Sequence, residues 1–367
     1  MRFLEEFRDP AMASLIVHRI HQLVTGNWVL MEVCGGQTHS IIRHGIDQLL
    51  PDSVELIHGP GCPVCVTPTH CIDEALALAT QESIILTTFA DMLRVPGSHD
   101  DMLACKARGA DVRSLYSPLD AVKIAAENPE REVVFFAVGF ETTAPVNALS
   151  VLQAQALGLT NFSLLVSQVT VPPAIEAIAR APDNRIQAFL AAGHVCTVMG
   201  SWQYESLARR LAKPIVITGF EPLDILLGIE AALQQLEQNA ARVENQYARY
   251  VDRGGNLQAQ ELIQKVFTTS DQDWRGLGIL LQSGLTLNER YQAYDARKRF
   301  ALDVAPAARG TRCHAGEVLT GRIRPQQCPH FGSECTPDSP LGATMVSGEG
   351  ACAAYYRYRR AAAVHNV

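Results

Sequence analysis

The sequence contains little charge and no long apolar run. Only 19% of its 367 residues are charged, and 38 acidic residues outnumber 31 basic ones, which gives a net charge of −7 at pH 7. Nucleic-acid-binding proteins usually carry a basic surplus, so this balance argues against a nucleic-acid partner. No uncharged stretch has the length of a membrane-spanning helix, and charged residues interrupt Met1–Asp9, where a secretory signal would be apolar. These absences predict a soluble, cytoplasmic protein with no membrane partner.

Three common motifs of nucleotide-binding and catalytic sites are also absent. No GxGxxG follows a predicted strand, no GxxxxGK[ST] loop occurs, and no GxSxG is found. The first two motifs bind phosphates at a helix N-terminus, and the third presents a nucleophilic serine. The sequence therefore gives no support for sites of these kinds.

The composition is suited to a large folded core. Hydrophobic residues make up 47% of the chain, and its length suggests two or three domains. Between about residues 28 and 240, short apolar runs alternate with helical patterns, as in parallel β-α-β units. The predicted strands are Trp28–Val33, Val54–His58, Ser83–Thr88, Val112–Leu115, Glu132–Val138, Phe162–Ser167, Ile186–Leu190 and Pro214–Thr218.

This pattern predicts an α/β fold with two similar parallel-sheet lobes. A repeated tripeptide supports two lobes, since Gly139–Glu141 and Gly219–Glu221 both read GFE and both stand between a predicted strand and a predicted helix. After about residue 240 the periodicity weakens, so we expect a mainly helical or irregular C-terminal domain. The predicted segments are 1–27 (N-terminal helical segment), 28–130 (first lobe), 131–240 (second lobe) and 241–367 (C-terminal domain).

Chemically active side chains follow several of the predicted strands. Ligands of parallel sheets bind beyond the carboxyl ends of the strands, and glycines there allow close backbone approach. Glycine-rich turns alone do not explain why cysteines, histidines and glutamates occur among them. We expect all five loops to line the same edge of their sheets. The loops are Cys34–His39, His58–Cys65, Gly139–Glu141, Gly193–His194 and Gly219–Glu221.

Cys62 and Cys65 form a CxxC dithiol in one of these loops. Such a pair can close a reversible disulfide or bind a soft metal. Cys34 stands beside two glycines and can act as a thiolate ligand or a nucleophile, with its sulfur projecting into an open crevice. The residues alone leave a zinc site open as an alternative, with Cys34, Cys62, Cys65 and either His39 or His58 as ligands.

Four further cysteines lie in the C-terminal region, with 14, 6 and 16 residues between them. Four thiolates can hold either a tetrahedral zinc ion or a [4Fe–4S] cluster. Zinc modules usually pair their ligands at CxxC spacing, which is absent here, so the spacing favours an iron–sulfur cluster. Residues 305–352 show little periodicity and would need such a metal group to become ordered. The cysteines are Cys313, Cys328, Cys335 and Cys352.

Longer motifs along nearly the whole chain are similar to those of one family. The chain resembles the HypD family of hydrogenase maturation factors, and no departure occurs at the cysteine motifs. The matching motifs are CGGQTH at 34–39, HGPGCPVC at 58–65, RVPG at 94–97, GFETT at 139–143, GHV at 193–195, GFEPLD at 219–224, VENQY at 243–247, WRGLG at 274–278 and SGEGACAAYY at 347–356.

The resemblance implies a scaffold protein for assembly of the Fe(CN)₂(CO) unit of [NiFe]-hydrogenases. It implies a complex with a HypC-type chaperone and delivery of cyanide by a thiocyanate-carrying HypE-type partner. It also implies that Cys34 coordinates the iron, that Cys62 and Cys65 serve redox chemistry and iron binding, and that the four C-terminal cysteines hold a [4Fe–4S] cluster. The family fold, with two similar α/β lobes and a cluster-bearing third domain, agrees with the predicted segments.

Other side chains in the loops are candidates for hydrogen bonding or proton handling around the iron. A second functional class remains open, namely a cytoplasmic thiol–disulfide oxidoreductase with a structural metal site. Iron with cyanide and CO infrared bands would indicate the scaffold, which has redox activity but is not a stand-alone enzyme, whereas zinc alone would indicate the oxidoreductase. The candidate side chains are His39, His58, His194, Glu141 and Glu221, of which His39, Glu141 and Glu221 join the three loop cysteines as catalytic candidates.

Overall fold

The computed structural model describes residues 5–302 and 312–364, and only the backbone of residues 360–364. The described residues exclude 1–4, 303–311 and 365–367. The excluded residues comprise the start of the predicted N-terminal segment, the beginning of the predicted segment 305–352, and the end of the chain. Within the described part, no helix combines the length and apolar character needed to cross a membrane.

Eleven strands are present in the described residues, and they include all eight predicted from the sequence, with ends that agree within two residues. Buried parallel strands are continuous apolar runs, which explains this agreement. The strands are β1 (Trp28–Glu32), β2 (Val54–His58), β3 (Ile84–Thr88), β4 (Val112–Ser114), β5 (Glu132–Gly139), β6 (Phe162–Val169), β7 (Ala188–Ala192), β8 (Ile215–Thr218), β9 (Val243–Asn245), β10 (Phe267–Trp274) and β11 (Gly278–Leu287).

The strands form two sheets, which confirms the predicted α/β class with two sheets rich in parallel pairs. The first sheet has the order β2-β1-β7-β8-β9 and is parallel throughout. The second has the order β10-β11-β6-β5-β3-β4, in which β10 and β11 are antiparallel additions to four parallel strands.

The sheets do not coincide with the predicted lobes 28–130 and 131–240. The chain leaves the first sheet after β2, builds β3 to β6 in the second sheet, and returns to the first sheet at β7. Leu30 of β1 therefore pairs with Ala188 of β7. Each sheet draws strands from both predicted segments, because strand order depends on tertiary packing between segments that are distant in sequence.

Helices cover both faces of the first sheet. Successive residues of β1 point to opposite faces, so Leu30 packs with Ile16 and Leu226 on one side, while Met31 packs with Ile175 on the other. The first part of the helix set is α1 (Pro10–Leu23), α2 (Gly35–His44), α3 (Ile46–Leu49), α4 (Pro63–Val66), α5 (Thr69–Ala79), α6 (Met102–Ala107), α7 (Pro118–Glu127), α8 (Ala144–Ala156) and α9 (Val171–Ala179).

The remaining helices complete the second half of the chain. They are α10 (Gly193–Met199), α11 (Trp202–Leu211), α12 (Pro222–Glu237), α13 (Leu257–Val266), α14 (Ala296–Arg299), α15 (Ala315–Leu319), α16 (Ala343–Val346) and α17 (Ala351–Val364). Short 3₁₀ helices lie at Glu6–Arg8, Ala90–Arg94, Glu289–Tyr294 and Pro325–Gln327. The described part of the cysteine-bearing segment consists of short helices and turns before α17, and α17 packs against α2.

The hairpin β10–β11 was not predicted from the sequence. β10 is mostly polar, β11 places Ile279 and Leu281 on an exposed face, and Ser270 and Gln272 flank a break in the pairing register. The hairpin is held in place by a buried residue at its turn, since Trp274 is fully buried, stacks on Phe140 and donates its indole N–H to Ser283 Oγ at 2.9 Å. The contacts of Trp274 stabilise the hairpin, whose strands lack the alternation of polar and apolar residues by which strands are normally recognised in a sequence.

Candidate functional site

Cys34 lies where the carboxyl ends of two neighbouring strands meet. It follows β1 and precedes the first residue of α2, and because β1 pairs with β7, the loop after β7 brings His194 beside it. The Sγ of Cys34 is 3.7 Å from Nδ1 of His194. Burial lowers the pKa of His194 to about 4, so the imidazole is neutral near pH 7. A neutral imidazole nitrogen can accept a hydrogen bond from the thiol.

Cys34 does not project into an open crevice, contrary to the expectation from sequence. Only 1% of the residue is exposed. The first turn of α2 is covered by Glu349 and Phe220, since a Cβ on Gly35 would lie 2.5 Å from Glu349 Cβ and one on Gly36 would lie 3.1 Å from the Phe220 ring. Burial, together with the charges of Glu349 and Glu32, raises the pKa of the Cys34 thiol well above its usual value.

The CxxC pair forms its own short helix. Cys62 is the N-cap of α4, and its Sγ accepts a hydrogen bond from the backbone N–H of Cys65 at 3.3 Å. Both cysteines are free and buried. Burial and the neighbouring Cys62 raise the pKa of the Cys65 thiol.

The CxxC loop packs directly on the Cys34 loop. Gly35 N–H donates to Gly61 O at 2.8 Å, and a Cβ on Gly61 would overlap the backbone of Cys34. On its other side the pair approaches the C-terminal region, because the Cys65 thiol lies 4.0 Å from Ala343 O. Glycine at position 61 therefore brings the two cysteine motifs into backbone contact.

A buried carboxylate joins the two loops. Glu32 is fully buried and accepts the backbone N–H of Cys34 at 2.9 Å, while its other oxygen contacts Thr38 Oγ1 and lies 2.7 Å from His58 Nδ1. The Nε2 of His58 is 3.1 Å from the Tyr355 hydroxyl on α17. Glu32 was not a candidate from the sequence. The feature that could have identified it is an acidic residue inside an otherwise apolar strand.

Two predicted side chains, His39 and Glu221, form contacts elsewhere in the fold rather than beside Cys34. His39 contacts Gly348 O and the Tyr358 hydroxyl, each at 3.2 Å, and so joins α2 to the C-terminal segment. Glu221 pairs with Arg8. No contact between these side chains and the Cys34 thiol is seen.

Glu141 lies deeper in the same core. One of its oxygens accepts the Val171 N–H at 2.9 Å, and the other has no partner among the described residues. Burial raises the pKa of Glu141 to about 7. The loop after β5 belongs to the second sheet, so only four of the five loops lie at one sheet edge; nevertheless Phe140 and Cys34 share one hydrophobic cluster.

The alternative zinc site lacks an available imidazole. Both nitrogens of His39 and both nitrogens of His58 already have polar partners. Within residues 5–302 and 312–364, no group of three or more His, Cys, Asp or Glu side chains is arranged to hold a single metal ion, and this holds for the four C-terminal cysteines as well as for the surroundings of Cys34. The chain's own side chains at Cys34 therefore do not form a complete mononuclear site.

The four C-terminal cysteines line a single cavity, as a shared ligand would require. Each of Cys335 and Cys328 influences the Cys313 thiol electrostatically, and all three influence Cys352. Burial raises the pKa of Cys352 to about 12. The cavity is also lined by apolar residues, including Phe331 and Met345. Four thiols around one partly open, mainly apolar cavity match the donor set of an iron–sulfur cluster.

Glu349 is a further residue that the sequence did not identify individually. It covers Gly35, and burial with the nearby charge of Asp91 raises the pKa of its carboxyl. The feature that could have identified Glu349 is the motif at 347–356, in which Glu349 and Cys352 are only three residues apart. Those two residues connect the surroundings of Cys34 with the four-cysteine cavity.

Comparisons with known proteins agree with this arrangement of motifs. The family model HypD, described as the hydrogenase formation hypA family, matches residues 11–359. Hydrogenase maturation factor HypD of Escherichia coli K12 is 46% identical over 98% of this chain and 99% of its own length. The proteins of the same name from Azotobacter vinelandii and Rhodobacter capsulatus are 46% and 45% identical over 98% of this chain, and the match covers 97% and 98% of their own lengths. The chain therefore belongs to the HypD family of hydrogenase maturation factors.

Proposed function

We propose that this protein is the scaffold on which the Fe(CN)₂(CO) unit of [NiFe]-hydrogenases is assembled. Cys34 binds the iron together with a HypC-type chaperone, and a HypE-type partner supplies cyanide. The observation that carries the proposal is the position of Cys34, which stands beside His194 and in backbone contact with the CxxC loop. One iron-binding thiol and one redox-active dithiol are thereby available at a single sheet edge.

The incomplete ligand set at Cys34 supports a shared iron. A resident single-metal site normally has three or four protein ligands, whereas no group of three such side chains around Cys34 is arranged to hold a metal ion. The iron of this proposal is cargo and brings cyanide and CO ligands of its own. Soft thiolate ligation suits such an iron. A single thiolate from this chain and one from a chaperone then suffice, and the cargo can be passed on.

Burial of Cys34 gives the proposed partners a specific task. The thiol is covered by Phe220 and Glu349, and its pKa is raised in these surroundings. Iron binding requires the thiolate, so the proton must leave as the metal arrives. His194 lies 3.7 Å from the thiol and can accept a hydrogen bond from it, but burial lowers the pKa of its ring to about 4, so the proton must pass on to water or to an incoming group. Docking of a partner would have to displace the cover before iron could reach Cys34.

The cavity of the C-terminal cysteines fits a [4Fe–4S] cluster as a resident cofactor. Cys313, Cys328, Cys335 and Cys352 would hold it, and the cluster would supply one-electron transfer when bound. Cys65 lies on the path between this cavity and Cys34, since its thiol is 4.0 Å from the first residue of α16. The fold keeps Cys62 and Cys65 buried and close to both the four-cysteine cavity and Cys34.

The proposed setting is the cytoplasm, with no nucleic-acid or membrane partner. The ten cysteines are free, as expected for a reducing compartment. The oxidoreductase alternative gains no support, because only 3% of Cys62 and none of Cys65 is exposed. A protein disulfide has no access to either sulfur in this arrangement.

The test is infrared spectroscopy of the complex purified with its chaperone. We expect bands of metal-bound cyanide and CO from the wild-type complex and none from Cys34→Ala, although this variant still binds the chaperone and keeps its iron–sulfur absorbance. Cys196→Ala is the matched control, because Cys196 is buried in the same hydrophobic cluster as Cys34 but is not among the proposed iron or redox cysteines. Normal maturation by Cys34→Ala would contradict the proposal.

A further inference from the structure

The outer side of β2, called the β2 edge below, has no neighbouring strand in the described part of the chain. β2 is the end strand of the first sheet and pairs with β1 in a register that places Glu32 opposite His58. Gly59 N–H donates to Glu32 O at 2.8 Å. Because alternate residues of a parallel strand bond to a given neighbour, the odd-numbered residues of β2 bond to β1. The backbone N–H and C=O groups of Leu56 and His58 therefore point away from the sheet.

A cavity of about 490 Å³ borders the β2 edge. It is lined by residues 55–58 of β2 and by residues 321–327 of the C-terminal region. Leu56 and His58 are buried, yet no group in residues 5–302 or 312–364 forms a hydrogen bond with the backbone N–H or C=O of either residue. Buried backbone groups in folded proteins are normally paired. An extended peptide in the cavity would supply such partners, as it does wherever a peptide adds a strand to a sheet.

Three arginines line the same cavity. Arg185 and Arg324 share one carboxylate, since their Nη2 atoms lie 2.9 and 3.5 Å from Glu55 Oε1. The third, Arg322, pairs with Asp183 at 2.7 Å, and more than half of the Arg322 and Arg324 side chains is exposed. Exposed ion pairs contribute little stability, so these guanidinium groups can exchange one carboxylate for another. Three positive charges facing two negative ones favour an acidic ligand.

The β2 edge leads toward the Cys34 loop. His58 is the last residue of β2, and its Nδ1 is 2.7 Å from Glu32, which accepts the Cys34 N–H. In the other direction, a second cavity of about 220 Å³ borders Leu56 and Arg324. A strand bound along the β2 edge would therefore end close to the loop at which the iron of the proposed function is shared.

We propose that the β2 edge binds an extended, acidic segment of the protein that shares this iron with Cys34. The identity of that protein, a HypC-type chaperone, rests on the proposed function. The segment adds a sixth strand to the first sheet, and its backbone pairs with the outward N–H and C=O groups of Leu56 and His58. Its carboxylates bind the guanidinium groups of Arg322 and Arg324. The partner is thereby fixed beside the Cys34 loop without a contact to the buried thiol itself.

The first test is hydrogen–deuterium exchange of the full chain, alone and in the complex with the chaperone, with fragmentation to single residues. We expect the amides of Leu56 and His58 to exchange at least about tenfold more slowly in the complex, because they become hydrogen-bonded. The amide of Glu55 is the internal reference, since it already faces β1. The amides of β9, at the opposite end of the same sheet, should not change.

The second test is the affinity of the chaperone for two kinds of variant, measured by titration calorimetry. Leu56→Pro removes the outward N–H and leaves the bonds to β1 in place, whereas Leu56→Ala removes the same side-chain contacts and keeps the N–H. We expect the Kd of Leu56→Pro to exceed that of Leu56→Ala about tenfold. Joint replacement of Arg322→Glu and Arg324→Glu should raise the Kd at least about tenfold. Arg253→Glu is the control, since Arg253 is exposed and pairs with Glu205.

The inference requires slower exchange at both amides and weaker binding by the charge-reversed variant. Unchanged exchange, wild-type affinity after charge reversal, or equal affinities of Leu56→Pro and Leu56→Ala would each overturn it. If Leu56→Pro does not fold, the other two measurements decide. Protection of the same amides in the isolated chain that rises with its own concentration would assign the β2 edge to a second copy and overturn the inference. Cyanide and CO bands in a complex whose β2 edge is unprotected would overturn it and leave the proposed function intact, whereas failure to bind the chaperone at all would overturn both.

Discussion

Gly61 lies against the backbone of Cys34, so the CxxC loop and the Cys34 loop form one packed unit. Gly61 O accepts the N–H of Gly35 at 2.8 Å, and any side chain at position 61 would overlap Cys34. The contact follows from strand order, because β1 and β2 are parallel neighbours whose carboxyl ends lie at the same edge. The relative position of the two thiol motifs is therefore set by the backbone.

The first prediction is that Gly61→Ala separates the two motifs. The added methyl group must displace the Cys34 backbone, since both partners are main-chain atoms, and we expect a loss of at least tenfold in hydrogenase maturation together with a loss of about 1–3 kcal/mol in the free energy of unfolding. Gly254→Ala is the matched control, because nothing lies within 4 Å of a Cβ there. Maturation is measured as hydrogenase activity in cells that lack the native protein. Wild-type maturation by Gly61→Ala would show that the close contact is dispensable.

Much of the sheet edge was predictable from sequence because strands and loops are local features. Apolar runs identified β1 and β7, and the glycine-rich motifs after them identified Cys34 and His194 as candidates. That these two residues meet was not predictable. Their contact depends on the pairing of Leu30 with Ala188. The chain between these two residues contributes strands to both sheets. Such pairing is decided by the packing of helices on the sheet faces rather than by local pattern.

The cover over Cys34 was missed for a similar reason. Glu349 belongs to a recognised motif, but its approach to Gly35 requires α17 to pack on α2 across more than 300 residues. Sequence patterns report which side chains are polar and which face of an element is apolar. They do not report that a polar loop from the C-terminal segment closes a strand edge. The expected open crevice is for this reason a closed site.

A second prediction concerns the pH dependence of stability. Burial raises the pKa of Glu141 to about 7 in the folded protein from an ordinary value of 4.5. The folded state then binds the proton more tightly than the unfolded state does, so stability conferred by the protonated carboxyl is complete below pH 4.5 and is lost as the pH rises through 7. Glu141→Gln mimics the protonated form and keeps the oxygen that accepts Val171 N–H.

We therefore expect Glu141→Gln to gain stability over wild type as the pH rises from 5 to 8, by up to ~3 kcal/mol. Urea unfolding at several pH values measures this difference. Glu205→Gln is the control, because Glu205 is a surface carboxylate whose pKa is lowered by a hydrogen bond from Arg253. A difference between Glu141→Gln and wild type that does not vary with pH would show that the buried carboxyl does not titrate in this range.

A third prediction concerns the C-terminal cysteines. Removing one of four thiols from the cavity leaves an incomplete ligand set. The variants Cys328→Ala and Cys335→Ala should therefore lose the absorbance of the proposed iron–sulfur cluster in the blue region of the visible spectrum and most of the bound iron. A bound cluster would also order this segment, so we expect faster proteolysis between residues 312 and 352 in these variants. Cys105→Ala is the matched control, because Cys105 is a buried cysteine in α6 that does not line the cavity. Full iron content in both cavity variants would remove the assignment.

The last prediction separates the dithiol from both metal sites. Cys62 and Cys65 occupy one helical turn, in which Cys62 Sγ accepts the Cys65 N–H, and neither lines the four-cysteine cavity. A loop with one thiol can neither close a disulfide nor chelate, so Cys62→Ala and Cys65→Ala should each block hydrogenase maturation. Both variants should keep the iron–sulfur absorbance, which visible spectra and iron analysis measure on the purified proteins. Cys71→Ala is the control, since Cys71 is a neighbouring buried cysteine that receives a hydrogen bond from Arg297. If either dithiol variant matured the hydrogenase normally, electron delivery to Cys34 would not need the CxxC pair, and the backbone contact at Gly61 would serve only to shape the Cys34 loop.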